Sequence, residues 1–385
     1  MYAKRVDTPI SRRIDDSGKD QCHSTKNNFH TTKMNLHRYT YVIRRKLLLA
    51  FILICLIKTF AVLLYDEHDT SKTYLPYSKY TYPLEMDFTS NYEAIGLQEQ
   101  LAIEIINPHP FSYIHLKQKC HFKEERKTSL LILVKSSASN YHLRQAIRGT
   151  WGKLSKMDNI EIVFLLAYHI DLQLDIDKEA LLHGDILQES FLDTYLNNTY
   201  KIIMGFNWAV EHCDRATHLV FVDDDHYLHI PNLLSYIDNE GISSTDSIMV
   251  GNVIINGVPY RDKTSKWYLS FDQYPFDRTP PYLAGAAILL TRETARKMVF
   301  VFPYITYMGI DDVWLGIAAL KMDIKLRHEP SLILPFYLMY TAPSQILYGE
   351  FKHLKEFQIV HNWLQHVSSV KMCAFNWKCQ FAFLV

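Results

Sequence analysis

Thr217–Val222 (THLVFV) is an apolar run that passes, with no turn residue between, into Asp223-Asp224-Asp225. A run this apolar reads as a strand buried on both faces, whereas three adjacent carboxylates cannot be buried without partners. The carboxyl edge of a helix-covered sheet satisfies both demands, because strand ends there face a ligand crevice. The neighbouring sequence agrees. Ser129–Val134 (SLLILV) and Ile160–Tyr168 (IEIVFLLAY) are further short apolar runs. Tyr141–Arg148 has a helical pattern, and Thr199–Cys213 carries Ile202, Ile203, Phe206, Ala209, Val210 and Cys213 at helical spacing. From Thr128 onward the expectation is a layered α/β domain, residues 128–385.

A chain of 385 residues, 48% hydrophobic and 21% charged, can bury a large core, which excludes disorder throughout. Lys+Arg and Asp+Glu number 41 each, so no global basic field advertises nucleic-acid binding. The charge is unevenly placed, however. Residues 1–46 are rich in Lys and Arg and read as a solvated cytosolic tail. They lead into 47–65 (LLLAFILICLIKTFAVLLY), long enough as a helix to cross a hydrocarbon layer of about 30 Å. Lys58 lies near enough to the far end to snorkel outward. The basic tail is too long for a secretory leader, and no small-x-small cleavage site follows, so the segment reads as a transmembrane signal-anchor. Arg44, Arg45 and Lys46 precede it and Asp66, Glu67 and Asp69 follow, which places the N-terminus in the cytosol and the remainder in an oxidising lumen.

Residues 66–127 are polar and Tyr-rich, with Pro76, Pro83, Pro108 and Pro110 and a short helical stretch near Gln98–Ile106; they read as a stem. Cys120, Cys213, Cys373 and Cys379 are luminal on this topology and permit two bridges. Cys373 and Cys379 are close enough in sequence to pair, but spacing does not settle the connectivity, and Cys213 reads equally well as a buried thiol. Asn197-Asn198-Thr199 is an N-glycosylation sequon.

Three clusters could carry chemistry. Asp223 and Asp225 lie on one side of an extended backbone and can share a hard divalent cation, Mn²⁺ or Mg²⁺ rather than zinc because no Cys/His cluster accompanies them. A solvated acidic turn is the other reading. Arg144 and Arg148, four apart on a helix, can clamp a diphosphate or fix neighbouring carboxylates. Asp311 and Asp312 stand between apolar residues, where burial raises a carboxylate pKa and suits it to accept a proton; an Asp there can also cap a helix beginning at Val313.

Five segments in order, RQAIRGTWG (Arg144–Gly152), FLDTYLNNTYK (Phe191–Lys201), FVDDDHYLHIPNLL (Phe221–Leu234), KWYLSFDQYPFDRTPPYLAGAAILLT (Lys266–Thr291) and IDDVWLGIAAL (Ile310–Leu320), resemble the beta-1,3-glycosyltransferase family of galactosyl- and N-acetylglucosaminyltransferases. The YPFDRTPPYLAGA stretch is most similar to its Brainiac-like branch, whose members extend glycosphingolipid cores. The resemblance implies a GT-A type nucleotide-sugar fold, a Rossmann-like mixed sheet flanked by helices, behind a single transmembrane helix. It implies a Golgi type II membrane enzyme that transfers galactose or N-acetylglucosamine from the UDP-sugar to a glycolipid or glycoprotein glycan, with inversion, making a beta-1,3 linkage.

On that reading Asp223 and Asp225 are the D-x-D pair, with Asp225 holding Mn²⁺ or Mg²⁺ on the UDP diphosphate. Asp312 is the general base, while Arg144, Arg148, Asp223, Asp224, Tyr282 and Gly285 form the donor side. Asn197 falls in the family's D-x-Y-x-N-x-T motif and gains a structural reading beside glycosylation. A homodimer through the stem stays open.

Two departures stand out. Ala284-Gly285-Ala286-Ala287-Ile288 lacks the family's frequent Gly-rich, aromatic ending, which leaves the donor sugar open. Relatives often carry a His before an acid-Phe pair near the C-terminus, where this chain has Gly349-Glu350-Phe351, so that His353 would have to substitute. Without a substitute, a non-enzymatic luminal relative that binds nucleotide sugar or a partner transferase is the rival reading. A calcium-dependent adhesion protein is disfavoured, because no repeat is visible.

Overall fold

A computed structural model describes residues 44–56, 87–97, 101–122, 128–156, 159–333 and 344–375, with side chains to 367 except at 155 and 156. Residues 44–56 belong to one unit of the chain and residues from 87 onward to a second. In the first, 44–56 is helical and its apolar side chains are exposed, Phe51 by 65%. The expected anchor at 47–65 is therefore described only in its first ten residues; 57–65 lie outside the described residues. Among the described residues no helix is long and apolar enough to cross a membrane.

The second unit is built on one mixed sheet of eight strands. In spatial order these are β1 (Tyr113–His115), β4 (Ile186–Leu192), β3 (Ile160–Tyr168), β2 (Leu130–Lys135), β5 (His218–Asp223), β10 (Ala287–Thr291), β7 (Ile248–Gly251) and β11 (Lys325–His328). β4, β3, β2 and β5 run parallel, and β10 is antiparallel to both β5 and β7. The chain steps outward from β2 through β3 to β4, then returns to the far side of β2 as β5. The reversal puts a topological switch point between β2 and β5, where open α/β sheets bind ligands. Lys135 and Asp223 are the last register partners of that pair.

β2 is buried along its whole length because both faces are covered: Leu131 and Leu133 join one core, and Leu130, Ile132 and Val134 the other. The helix α4 (Asn198–His212) lays Ile202, Ile203, Phe206 and Ala209 into the first core, realising the helical spacing of the sequence. The helix α2 (Tyr141–Gly149) buries Leu143, Ala146 and Ile147 in the second.

The segment expected to be a stem is, from 87 to 122, part of this body. The helix α1 (Phe88–Ile95) starts where the Asp87 carboxylate accepts from Ser90 N (2.9 Å), and its Phe88 is fully buried against Tyr304. β1 adds an antiparallel edge strand beside β4. Cys120 is disulfide-bonded to Cys213, closing a separation of 93 residues. Such a loop stabilises by about 4.7 kcal/mol through the unfolded chain's lost entropy. Cys213 is therefore a bridge cysteine; the side chains of Cys373 and Cys379 lie outside the described residues. The helical stretch expected near Gln98–Ile106 is not observed, since 101–106 are irregular where described.

Candidate functional site

β2 and β5 deliver their charges to the floor of a crevice of about 700 Å³. Lys135, almost fully buried, places Nζ 2.9 Å from Asp223 Oδ1, 3.0 Å from Asp311 Oδ2 and 3.1 Å from the Gly285 carbonyl. Burial works against its charge, but Asp223 and Asp311 outweigh it and hold the ammonium protonated well above the ordinary range. The apolar run read as ending at Val134 thus ends one residue later, in a lysine. A charge closing a buried strand was the same signal that exposed Asp223.

Asp223, Asp225 and His226 bring their ligand atoms within 4.8 Å of one another. His226 opens β6 (His226–Leu228), which pairs antiparallel with β12 (Leu347–Gly349) so that Gly349 stands opposite His226. A Cβ on Gly349 would lie 2.9 Å from the Asp225 carbonyl oxygen and from His226 Cα, and Gly349 has φ +148°, so a side chain there is excluded. The imidazole expected before the acid-Phe pair thus stands across the ladder, at 226. His353 does not substitute: it is exposed, with its backbone N bonded to Glu356, while Glu350 lines the crevice.

His226 is 3% exposed, and Nδ1 and Nε2 both lack a hydrogen-bond partner. Nδ1 lies 2.5 Å from Asp225 Oδ1 as an ion pair; burial works against both charges, but the pairing outweighs it, raising the imidazole and lowering the carboxyl from their ordinary values. Two carboxylates and an imidazole converging on one point can hold a divalent cation, and the histidine beside the acids removes the absence of such a ligand as a ground against zinc.

The third cluster starts the helix α7 (Asp311–Lys321), and neither acid caps it, since the capping position is Ile310. Burial first, then the neighbouring Asp311, push the Asp312 carboxyl up to about 7. The helix N-terminus would favour the ionised form, but desolvation of the half-buried carboxyl outweighs it. The helix is pressed onto β9 (Tyr282–Leu283) through Gly316, where a Cβ would lie 2.5 Å from Tyr282 Cβ. That close approach sets Asp312 beside Gly285 and the crevice. A Cβ on Gly285 would meet Lys135 Nζ and Asp312 Cβ only at ordinary contact, so nothing in the protein demands a glycine there.

Other expected donor residues are placed differently. Asp224 does line the crevice, but its carboxylate is held by the β2–α2 loop, accepting from Ser136 Oγ (2.6 Å) and Asn140 Nδ2 (3.0 Å). Burial raises it to about 6, although those donors pull the other way. Arg144 and Arg148 do not reach the crevice. Arg144, 1% exposed, forks onto Glu179 and donates to Ser136 Oγ and the Ser137 and Ala138 carbonyls, while Arg148 bridges Glu179 and Asp185. The pair fixes the loop that carries the crevice's Ser136 and Ser137. Tyr282 lines an adjoining cavity instead, its hydroxyl raised to about 12 by burial and then by Asp312. In the sequon, Asn197 Nδ2 donates to the Leu192 carbonyl, and buried Thr199 donates to that of Met308.

A sequence profile of the family described as galactosyltransferase matches residues 142–330, which span β2's following helix through β11. Beta-1,3-galactosyltransferase brn of Drosophila melanogaster is 34% identical over 250 residues, 64% of this chain and 74% of that protein. The chain belongs to the galactosyltransferase family. It is also similar to lactosylceramide 1,3-N-acetyl-beta-D-glucosaminyltransferase A of Danio rerio, at 34% over 55% of this chain and 59% of that protein. UDP-GalNAc:beta-1,3-N-acetylgalactosaminyltransferase 1 of Sus scrofa is 32% identical over 53% of this chain and 63% of its own length. The matched region contains Asp223, Asp225, His226 and Asp312, so this galactosyltransferase-family enzyme carries its acids within the shared part.

Proposed function

We propose that the protein is an inverting, metal-dependent transferase of GT-A type that moves galactose or N-acetylglucosamine from a UDP-sugar to a glycan hydroxyl, forming a beta-1,3 linkage. The observation that carries this reading is one polar crevice holding both a cation-ready set, Asp223, Asp225 and His226, and a half-buried carboxyl poised near neutrality, Asp312.

Asp223, Asp225 and His226 would hold Mn²⁺ or Mg²⁺, which when bound neutralises the diphosphate of the departing UDP. Lys135 aims Asp223 and opposes the rise that burial imposes on its carboxyl. Asp312 accepts the proton of the acceptor hydroxyl as its oxygen bonds to the anomeric carbon and the bond to the UDP oxygen breaks; a pKa near 7 matches this role. Lys266 lines the same crevice with its ammonium 4.7 Å from the Trp267 ring centre and 5.5 Å from that of Tyr195, forming a cationic, aromatic rim suited to a nucleotide sugar.

The donor sugar and acceptor are assigned by likeness. The similar proteins transfer galactose, N-acetylglucosamine or N-acetylgalactosamine by name, and one is named for lactosylceramide, which favours a glycosphingolipid acceptor. Golgi residence as a type II membrane protein rests on the basic tail and the apolar 47–65 segment, and the Cys120–Cys213 bridge suits an oxidising lumen.

The test is UDP release by full-length protein in detergent, offered UDP-galactose or UDP-N-acetylglucosamine, manganese and a panel of glycan acceptors. Acceptor-dependent release stopped by EDTA supports the reading. Release unaffected by chelation removes the metal from it, and folded protein that binds UDP yet transfers to no acceptor overturns the transferase assignment.

A further inference from the structure

The helix α3 (Gln173–His183) is built inside out. Toward the body it buries Ile176 and Glu179, and Glu179 is there as the shared partner of Arg144 and Arg148. Its leucines go the other way. Leu174, Leu181 and Leu182, with Ile170 in the turn before the helix, are 76%, 90%, 73% and 75% exposed, and they are the four most exposed large hydrophobic side chains among the described residues. Leu174, Lys178 and Leu181 stand at positions i, i+4 and i+7, so the aliphatic side chains form one ridge along the helix. A contiguous ridge of this kind marks a contact surface.

A groove of about 470 Å³ adjoins the ridge, between α2 and α3. Tyr141, Leu172, Ile176 and Leu182 line it, and Leu182 belongs to ridge and groove alike. The two buried ions in its wall are already committed to each other, since the Arg144 guanidinium forks onto Glu179. What the groove offers an incoming group is therefore hydrocarbon.

Three observations select the occupant. First, residues 66–86, between the apolar segment 47–65 and the body, can extend at most about 75 Å. A body tied so closely to an anchored segment meets the bilayer at a high effective concentration. Second, Asp175 and Lys178 beside the leucines neutralise each other at 2.8 Å, which suits the luminal leaflet, because anionic lipids are concentrated on the cytoplasmic one. Third, four aliphatic side chains fall short of the roughly 800 Å² that each partner of a stable protein pair contributes. A second copy would need more surface, whereas a tethered body needs only a few immersed side chains.

We infer that α3 and the groove beside it form a lipid-docking face, with Ile170, Leu174, Leu181 and Leu182 set among the acyl chains of the luminal leaflet. The inference rests on the signal-anchor topology of the proposed function and is independent of the chemistry at Asp312.

The test uses full-length protein in phosphatidylcholine vesicles that include a phosphatidylcholine with a diazirine on one acyl chain. After irradiation, lipid adducts are mapped by mass spectrometry in three stretches. Residues 44–65 report the anchor and 170–182 the face, while 354–367 in the helix α8 (Leu354–Phe375), where Ile359 is 65% exposed, report non-specific contact. Adducts in 170–182 are expected on the order of tenfold above those in 354–367, with 44–65 labelled as well. The double variant Leu174→Gln, Leu181→Gln changes only exposed positions and is expected to bring 170–182 down to the level of 354–367 with the anchor adducts unchanged. Labelling of 44–65 without an excess at 170–182 overturns the docking face and keeps the anchor. Adducts that persist in the double variant overturn the role of these leucines. No adducts at either stretch remove the anchor and the inference with it, while UDP release in detergent still tests the transferase reading. A Lys178-to-Lys178 cross-link between isotopically light and heavy copies, in place of lipid adducts, overturns the inference and gives the face to a second copy of the chain.

Discussion

Lys135 and Asp223 face each other at 2.9 Å, Nζ to Oδ1, as the last rung between two parallel strands at the point where the sheet reverses its winding. The lysine also bonds Asp311 on a helix distant in sequence, so one ammonium joins the D-x-D strand to the helix that carries Asp312. The two halves of the proposed chemistry are therefore joined through one buried ammonium.

Replacing Lys135 with Met should lower stability by about 3 kcal/mol, the lower end for breaking a buried pair, because Asp223 is 37% exposed and solvent screens part of the loss. Differential scanning fluorimetry checks this. Adding manganese with UDP should raise the melting temperature more in Lys135→Met than in the wild type, since a bound cation relieves the same carboxylates. An equal rise would mean that cation and lysine do not share Asp223.

His226→Ala should weaken manganese binding by at least about tenfold, the loss typical even for an outer-shell partner of a metal. Electron paramagnetic resonance of free Mn²⁺ reads this without reference to turnover. His353→Ala should leave it unchanged, since His353 lies exposed outside the crevice.

Arg144→Met should act on stability and not on the nucleotide. It strips Glu179 of a two-pronged partner and frees the Ser137 and Ala138 carbonyls, all buried or nearly so. A loss of about 3–5 kcal/mol follows. At a temperature where the variant is folded, UDP affinity by calorimetry should match the wild type within about twofold; a tenfold loss would return Arg144 to the donor side.

The sheet was legible because burial on both faces writes itself as unbroken apolar runs: β3 matches its expected bounds, and β2, β5 and α4 lie within a residue or so of theirs. Asp223, Asp225 and Asp312 were legible because acids stand out against such runs. Arg144 and Arg148 read in the sequence as either a diphosphate clamp or partners for neighbouring carboxylates, because helical spacing shows that two guanidinium groups share a face but not which groups meet them; Glu179 and Asp185 arrive from a separate helix and the loop after it. His226 was passed over although it adjoins the acids, since only the β6–β12 ladder, closed by a residue more than a hundred positions away, turns its ring toward them. The packing of 87–122 onto the body was hidden for a similar reason: one short helix anchored by Phe88, one disulfide and one edge strand attach it, and none of these has an extended periodic signal.

The pH dependence of transfer follows from Asp312. Its carboxyl is raised to about 7, so below that pH the free enzyme holds it protonated and unable to take the acceptor's proton. The logarithm of kcat/KM should therefore rise with unit slope up to about pH 7 and level off above it. Asp311 is the nearest like charge named among the causes of the shift, after burial. Asp311→Asn should accordingly move the limb to lower pH, while Asp312→Asn should abolish the limb and lower kcat by about 10²–10⁴ with manganese-dependent UDP binding retained. A limb that stays near pH 7 in Asp312→Asn would assign it to another group and remove Asp312 from the role of base.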